Sequence, residues 1–343
     1  MKELLNTLYI TQPDMYVATQ GECIVVLKDK KVLLRRPFHE FQDIVLFTYL
    51  GMSPELIRRC LEHGIGIAYM TPHGRLIGRF CGKSKGNILL RRTQYRVADD
   101  ACASLHIAKS MIAAKIYNEK WTVERYIRQY KERVDISPLQ AVSKTLTDML
   151  QKVEYVTSAE ELRGIEGSAQ ATYFSCFDTM ILNQKEAFQF NIRSRRPPLT
   201  RVNALLSFLY AVLSNDIASA LEGVGLDAYA GFMHVDRPGR VSLALDVVEE
   251  LRAPLVDRMV LSVINRKILG PTDFTVEANE VVLLHDEGRR KILSEWQKRK
   301  QEVITHPFLQ EKMPWGLVPH IQASLLARYL RHDLDAYPPF FWK

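Results

Sequence analysis

Short runs of apolar and β-branched residues, separated by turn residues, dominate the first 81 positions of the chain. One helix interrupts them, with Ser53 as its N-cap, Pro54 in its first turn and Gly64 just past its end. Many short strands joined by tight turns predict a small β-sandwich or rolled sheet. The predicted strands are Tyr16–Thr19, Cys23–Lys28, Lys31–Arg36, Ile44–Thr48 and Ile65–Thr71.

The pattern changes to a helical period after about Asp99, where apolar residues recur three and four positions apart. A short hairpin is predicted at Asp273–Leu284, inside this helical part. We therefore predict an α+β chain: a β-rich domain over 1–81, a linker over 82–98 containing the polar, glycine-bracketed segment Gly82–Gly86, and a larger, mainly α-helical domain over 99–343. Further helices are predicted at Pro138–Val153, Ser158–Gln184, Thr200–Leu221, Arg240–Ile268 and Glu287–Glu302.

Composition fits an ordinary globular protein, since 47% of the 343 residues are hydrophobic and 25% are charged. The longest apolar stretch, Ala204–Leu213, is about half the roughly 20 residues of a membrane-spanning helix. The N-terminal residues lack the apolar segment of a signal peptide, and the five cysteines form no CxxC pair. We expect a cytoplasmic protein without a membrane segment.

Positive charge is clustered along the chain, which has a formal net charge of +7. One cluster runs from Arg193 to Arg201 and another from Arg289 to Lys300. Such clusters suit a polyanion, and they also suit a solvated helix face. The sequence leaves both interpretations open for each cluster.

Three segments carry polar groups where a packed helical domain should be apolar. Glu166 lies between Gly164 and Gly167, which let another backbone or a ligand come close. His234 lies in a turn-rich loop. Asp246 and Glu249 share one helix face beside apolar residues, so they need a counter-charge, either a divalent metal ion or an arginine. Taken singly, each has a plainer explanation: a helix N-terminal charge for Glu166, an ordinary loop position for His234, and ion pairs with Arg252 or Arg258 for the two acids.

The three segments together, with a fourth between them, resemble the signature of the CRISPR-associated spacer integrase family. The motifs occur in order as G-x-E-G at 164–167, N-A-L-L-S-F-x-Y at 203–210, G-F-x-H at 231–234 and S-L-A-L-D-x-x-E-E-L-R at 242–252. The order of β and helical parts extends the resemblance over the whole chain. The C-terminal residues, Tyr337 to Lys343, are similar to those of members from type I systems, particularly subtype C.

The resemblance implies a role for each matching residue. Glu166, His234 and Asp246 correspond to a metal-binding triad, and Glu249 to a further acid that ligates directly or through water. Tyr210 corresponds to a tyrosine beside the reacting DNA end. Two carboxylates and an imidazole suit Mg²⁺ or Mn²⁺. The arginines implied or expected to contact the DNA backbone are Arg163, Arg193, Arg195, Arg196, Arg237 and Arg252.

The implied activity is a metal-dependent DNA endonuclease and integrase, which inserts spacer DNA into a CRISPR array by attack of a 3′-hydroxyl on a phosphodiester at the leader–repeat junction. The implied partners are double-stranded DNA, a second copy bound through the β domain, and a small ferredoxin-like CRISPR-associated protein. Two alternatives remain open at this point: a structure-selective DNA repair nuclease, and a DNA-binding scaffold whose acids are only salt-bridged.

Overall fold

The computed structural model describes residues 6–48, 50–71, 76–80, 88–195, 197–278 and 280–343. A β-rich N-terminal part precedes a larger, mainly helical part, so the predicted α+β class is confirmed. The predicted hairpin is also present, as antiparallel strands β8 (Phe274–Val276) and β9 (Val282–Leu284).

The N-terminal part contains two sheets. Strands β2 (Met15–Gln20), β3 (Cys23–Lys28) and β4 (Lys31–Pro37) form an antiparallel sheet. The second sheet has the order β1-β5-β6-β7, in which β1, β5 and β6 are parallel and β7 is antiparallel. Strand β1 was not predicted. Its four residues precede Tyr16, where the first predicted strand begins. The strands of the second sheet are β1 (Thr7–Ile10), β5 (Asp43–Leu46), β6 (Gly66–Met70) and β7 (Leu76–Phe80).

Helix α1 (Pro54–His63) makes the parallel crossover between β5 and β6. Ser53 caps it by accepting a hydrogen bond from the Leu56 N–H, and Gly64 ends it in the left-handed conformation at φ 71°. Successive residues of strand β5 face opposite sides of the sheet. Ile44 packs in the N-terminal core with α1, while Val45 packs in the helical core. The two parts therefore share the second sheet.

Ten helices occur in the described residues. They are α1, α2 (Ile88–Asp99), α3 (Ala101–Tyr130), α4 (Ser137–Tyr155), α5 (Ala159–Ser175), α6 (Arg201–Gly223), α7 (Ser242–Leu251), α8 (Arg258–Asn265), α9 (Asp286–Gln301) and α10 (Val318–Leu330). Helix α2 occupies most of the predicted linker, so residues 88–98 are regular helix, and 82–87 lie outside the described residues. The last two strands, β10 (Val303–Thr305) and β11 (Lys312–Pro314), form a small antiparallel pair.

Two predicted helices are shorter or interrupted. The helix predicted at Ser158–Gln184 ends at Ser175 and is followed by a 3₁₀ turn, Phe177–Met180. The helix predicted at Arg240–Ile268 is divided into α7 and α8 by a π-helical segment, Arg252–Asp257. Pro254 lies in that segment and has no N–H for an α-helical hydrogen bond, so the local pattern must change there.

Helix α3 is the central element of the helical part and packs against α4, α5 and α7. Helix α6 is long and apolar enough to cross a membrane by length and composition, but 67% of its most apolar window is buried among the other helices. It is therefore a core helix of this fold. Its Phe208 ring stacks on Phe47 beside the shared sheet, at 5.8 Å between ring centroids.

Candidate active site

Glu166 lies on helix α5 between two glycines whose positions are not covered by other side chains. A Cβ atom placed on Gly164 or Gly167 would meet no other atom within 4 Å. Ser158 fixes the start of α5 by accepting a hydrogen bond from the Glu161 N–H. The two glycines thus leave open space beside a carboxylate that a well-capped helix holds in place.

The partner of Glu166 in the interior is Lys115 of α3, which is 1% exposed. The Lys115 ammonium contacts Glu166 Oε1 and lies 2.7 Å from Glu249 Oε2. Burial alone would lower the pKa of Lys115, but the two carboxylates raise it above its ordinary value. Lys115 is therefore held as a cation between two acids from different helices.

Glu249 also pairs with Arg252, one helical turn later. The Arg252 guanidinium donates to Glu249 Oε1 at 2.8 Å and Oε2 at 2.9 Å. Burial would raise the pKa of Glu249, but Arg252 and Lys115 hold it well below its ordinary value, with a smaller effect from nearby His234. Glu249 is thus ionised and faces both Glu166 and His234. The pairing with Arg252 also matches the plainer explanation given above for this acid.

Asp246 holds the loop that carries His234. Its Oδ2 accepts hydrogen bonds from the N–H groups of Phe232 (2.6 Å) and Met233 (3.1 Å), and its Oδ1 accepts from the His234 N–H (3.0 Å). Asp246 Oδ1 also lies 2.6 Å from His234 Nδ1. Gly231 allows this approach, because a Cβ there would lie 2.8 Å from Asp246 Oδ2.

In this structure Asp246 and Glu249 have different surroundings. Asp246 makes four contacts with the 232–234 loop, three of them with backbone N–H groups. It lies behind the His234 ring, as a carboxylate behind a ligating histidine does, with Nε2 on the opposite edge. Glu249, given above as a further acid, lies with Glu166 on the Lys115 ammonium.

Tyr210 belongs to a buried polar cluster next to these acids. Its hydroxyl donates a hydrogen bond to Asp257, and the Arg252 guanidinium lies 4.3 Å from its ring centroid. Burial raises the pKa of Tyr210, so the hydroxyl remains protonated at neutral pH. Burial also raises the pKa of Asp257 to about 6. Arg252 therefore connects Tyr210 to Glu249.

The arginines expected to contact DNA divide into interior and surface positions. Arg252 is 7% exposed and pairs with Glu249. Arg193 is partly buried and donates to Asn203 and Ser207 of α6, so it anchors its loop. Both make internal contacts in this structure, and their contact with DNA stays a prediction. Those on the surface are Arg163, Arg195 and Arg237, while Arg196 lies outside the described residues.

Lys115 is the functional-site residue that the sequence analysis missed. Ile107, Met111, Lys115 and Glu119 follow one another at intervals of four along α3, so two charged residues occupy the buried stripe of an otherwise apolar face. A lysine in such a stripe needs a buried acid as its partner. That periodicity is the signal that could have identified it.

The ligand types at this site suit a divalent ion, but the side chains are not already arranged around an ion position. Within the described residues, no three His, Cys, Asp or Glu side chains lie close enough together to hold an ion as they stand. The Lys115 ammonium shows, however, that the position between Glu166 and Glu249 accepts a cation. Two carboxylates and an imidazole are ligands that suit Mg²⁺ or Mn²⁺. A divalent ion at these two carboxylates would compete with the Lys115 ammonium for them.

Comparison with known proteins identifies the family. The family model described as "CRISPR associated protein Cas1" matches residues 8–298. This chain belongs to the Cas1 family. It is 45% identical to a protein of Chlorobaculum tepidum named CRISPR-associated endonuclease Cas1 1, and the match covers all of both chains. It is 46% identical to CRISPR-associated endonuclease Cas1 2 of Rhodospirillum rubrum, again over both whole chains.

Several solved structures share the fold. A Cas1 protein from Thermotoga maritima superposes with a TM-score of 0.83 at 20% identity, covering 97% of this chain and 99% of that one. A casposase bound to integration product gives 0.83 at 24% identity, covering 98% and 94%. A chain of a Cas6-RT-Cas1–Cas2 complex gives 0.81 at 23% identity, covering 98% of this chain and 36% of that one.

Proposed function

We propose that this protein is a divalent-metal-dependent DNA endonuclease and integrase that inserts spacer DNA into a CRISPR array. The carrying observation is the convergence of Glu166 and Glu249 on one buried cation, beside a histidine that Asp246 orients. Family membership supports the proposal, as do relatives named CRISPR-associated endonucleases and the similar fold of a casposase bound to integration product.

Glu166, Glu249 and His234 would hold the ion, with Asp246 behind His234. A bound divalent ion would polarise a phosphodiester and activate the attacking 3′-hydroxyl or water. The DNA strand would approach Glu166 beside Gly164 and Gly167, where an added Cβ atom would meet nothing within 4 Å.

The surrounding residues of the chain supply orientation and charge. Tyr210, protonated and bonded to Asp257, lies against Arg252, and Arg252 with Lys115 keeps Glu249 ionised. Surface arginines Arg195 and Arg237 would hold backbone phosphates of double-stranded DNA through forked hydrogen bonds. The reaction we propose is attack by a 3′-hydroxyl at the leader–repeat junction, or by water in the nuclease mode.

We further propose a homodimer formed through the β domain. Strand β4 is an edge strand whose Val32 and Leu33 are 52% and 55% exposed. A small ferredoxin-like CRISPR-associated protein would join two such dimers, and one structural neighbour is indeed a chain of a Cas1–Cas2 complex. Cytoplasmic location stays a prediction of the sequence.

The test is strand transfer of a short duplex with free 3′-hydroxyls into a plasmid that bears a leader and repeat, with the small partner added. Wild type is compared with His234→Ala, each with Mn²⁺ and with EDTA. His106→Ala is the matched control, because His106 is exposed on α3. We expect half-site products with wild type and His106→Ala in Mn²⁺, and none with His234→Ala or EDTA.

The other outcomes separate the alternatives. Transfer that survives His234→Ala would contradict the proposed site. Mn²⁺-dependent cleavage without transfer would favour a structure-selective repair nuclease. Tight DNA binding with neither activity would favour a scaffold, in which the ion pairs of Glu166 and Glu249 are purely structural.

A further inference from the structure

A basic cavity lies away from the carboxylates, between the second half of α3, the start of α8 and the C-terminal residues. Its volume is about 280 Å³. The residues that define it are Trp121, Arg125, Arg128, Arg258, Trp342 and Lys343. Glu166, His234, Asp246 and Glu249 are not among its lining residues. The cavity is therefore separate from the candidate active site.

The arginines of this cavity form no ion pair with a carboxylate among the described residues. No carboxylate lies within ion-pair distance of Arg125, Arg128 or Arg258 there, and Arg125 donates instead to the Gln129 amide oxygen at 3.2 Å. The basic cluster of α9, which the sequence analysis identified, differs because its charges form ion pairs. Its charges are paired with nearby acids: Arg289 with Asp286, Lys291 with Asp273, Lys298 with Glu295, Arg299 with Glu302 and Lys300 with Asp216.

The positive charge of Arg258 is destabilised by its surroundings. Burial, together with Arg125 and Arg299, lowers the pKa of Arg258 to about 10, against smaller opposing effects of Tyr126 and Glu302. Fold contacts hold these like charges together, so a bound anion would relieve their mutual repulsion. Clusters of this kind suit a phosphate, which accepts forked hydrogen bonds from guanidinium groups.

The cations fall into two groups. Arg125 lies near enough to Arg258 to lower its pKa. Arg128 and Lys343 both lie beside Trp121, 5.3 and 4.9 Å from the centroid of its ring system. The indole N–H of Trp342 is buried without an acceptor among the described atoms. Positive charge beside indole rings is typical of sites that bind a nucleic-acid strand.

We propose that this cavity binds backbone phosphates of a single-stranded DNA segment, as a second anchor outside the catalytic carboxylates. The inference rests on the proposed function for its DNA substrate. Arg125 and Arg258 would hold one phosphate and Arg128 with Lys343 the next.

The experiment measures binding of a fluorescent thymidine hexanucleotide in EDTA, where no metal-dependent chemistry occurs. The variant is Arg125→Gln with Arg128→Gln. The control is Arg290→Gln with Lys298→Gln, which removes the same charge from exposed positions of α9. We expect the variant to bind about tenfold or more weakly and its salt slope to fall by about 1.4, the value for two phosphate contacts on a single strand. The control should stay within twofold of wild type.

Two results would overturn the inference. One is equal weakening in the variant and the control, which would reflect net charge alone. The other is inorganic pyrophosphate binding as tightly as the hexanucleotide, which would assign the cavity to a free anion. The double substitution Arg125→Lys with Arg128→Lys keeps the charge and should recover most of the binding, so misfolding of the glutamine variant cannot imitate the result.

Strand transfer measured on the same preparations separates this inference from the proposed function. If wild type transfers DNA and the glutamine variant binds the hexanucleotide as tightly as wild type, only the inference fails. If wild type lacks transfer while hexanucleotide binding depends on Arg125 and Arg128, the proposed function fails and the DNA anchor stands.

Discussion

Lys115 Nζ lies 2.7 Å from Glu249 Oε2, and the same ammonium contacts Glu166. One buried lysine therefore joins two acids that come from helices α5 and α7. Without a counter-charge, two carboxylates this close would repel each other and one would take up a proton. The lysine supplies that counter-charge in the absence of an ion.

Replacement of Lys115 by methionine should destabilise the protein when no divalent ion is present. The substitution leaves buried carboxylates with a single cation, Arg252, and the loss of one partner from a buried pair costs about 3–5 kcal/mol. Mn²⁺ should then stabilise Lys115→Met more than it stabilises wild type, because the ion has no ammonium to displace. Thermal denaturation in EDTA and in Mn²⁺ measures both effects.

The matched control is Lys144→Met, because Lys144 is exposed on α4. It should behave as wild type in both buffers. Equal melting temperatures for Lys115→Met and wild type in EDTA would show that the ion pair contributes nothing. Lys115→Arg, which keeps the charge, should melt between the two.

Asp246→Asn should cost stability as well as activity. The amide has one acceptor oxygen in place of two, so at least one buried N–H of the 232–234 loop loses its partner, at about 1–3 kcal/mol each. Urea unfolding should show a loss of that size, with Asp236→Asn, an exposed position in the same loop, unchanged. By contrast, His234→Ala should abolish activity with a smaller loss of stability. Wild-type stability in Asp246→Asn would remove the basis for its role in holding the loop.

Elements with local signals were predictable from the sequence. Helix α1 was predicted from Ser53 and Gly64, which cap the two ends of a helix of 10 residues. The interruption at Pro254 was missed, although proline removes a hydrogen bond wherever it lies in a helix. Strand β1 was missed because four residues give too short a pattern, and its pairing is with a distant strand.

The site could be predicted only in part, because its contacts join distant segments. The resemblance gave Glu166, His234, Asp246 and Glu249, but spacing alone does not say which acid faces which. Asp246 and Glu249 share a helix face, yet one is taken up by a loop and the other faces a lysine 134 residues earlier in the chain. The different contacts of Asp246 and Glu249 result from the packing of helices around α3. No local sequence pattern predicts them.

Arg195→Ala should weaken DNA binding without lowering stability. Arg195 is exposed, and its contact within the chain is to the Gln170 side chain. A plot of the logarithm of the binding constant against the logarithm of the salt concentration has a negative slope. Loss of one phosphate contact should reduce the magnitude of that slope by about 0.9 for duplex DNA. Anisotropy with a labelled duplex at several salt concentrations measures this. Arg58→Ala, whose charge is already paired with two glutamates, is the control and should keep the wild-type slope.

Glu119 should make wild-type stability fall as the pH rises. It is 3% exposed on α3, and its Oε2 has no hydrogen-bond partner among the described atoms. Burial raises the pKa of Glu119 from 4.5 to about 8, against the opposing effect of Lys115 and Arg252. The folded protein therefore keeps a proton that the unfolded chain releases. Its contribution to stability is full below pH 4.5 and is lost as the pH rises to about 8.

Glu119→Gln removes this titration and keeps the shape of the side chain. Its free energy of unfolding, relative to wild type, should rise between acidic and alkaline pH by a few kcal/mol. Urea unfolding at several values across that range measures the difference. Glu160→Gln, an exposed position at the start of α5, should follow the wild-type profile. Parallel profiles for Glu119→Gln and wild type would mean that Glu119 is already ionised in the folded protein, and that Lys115 and Arg252 outweigh its burial.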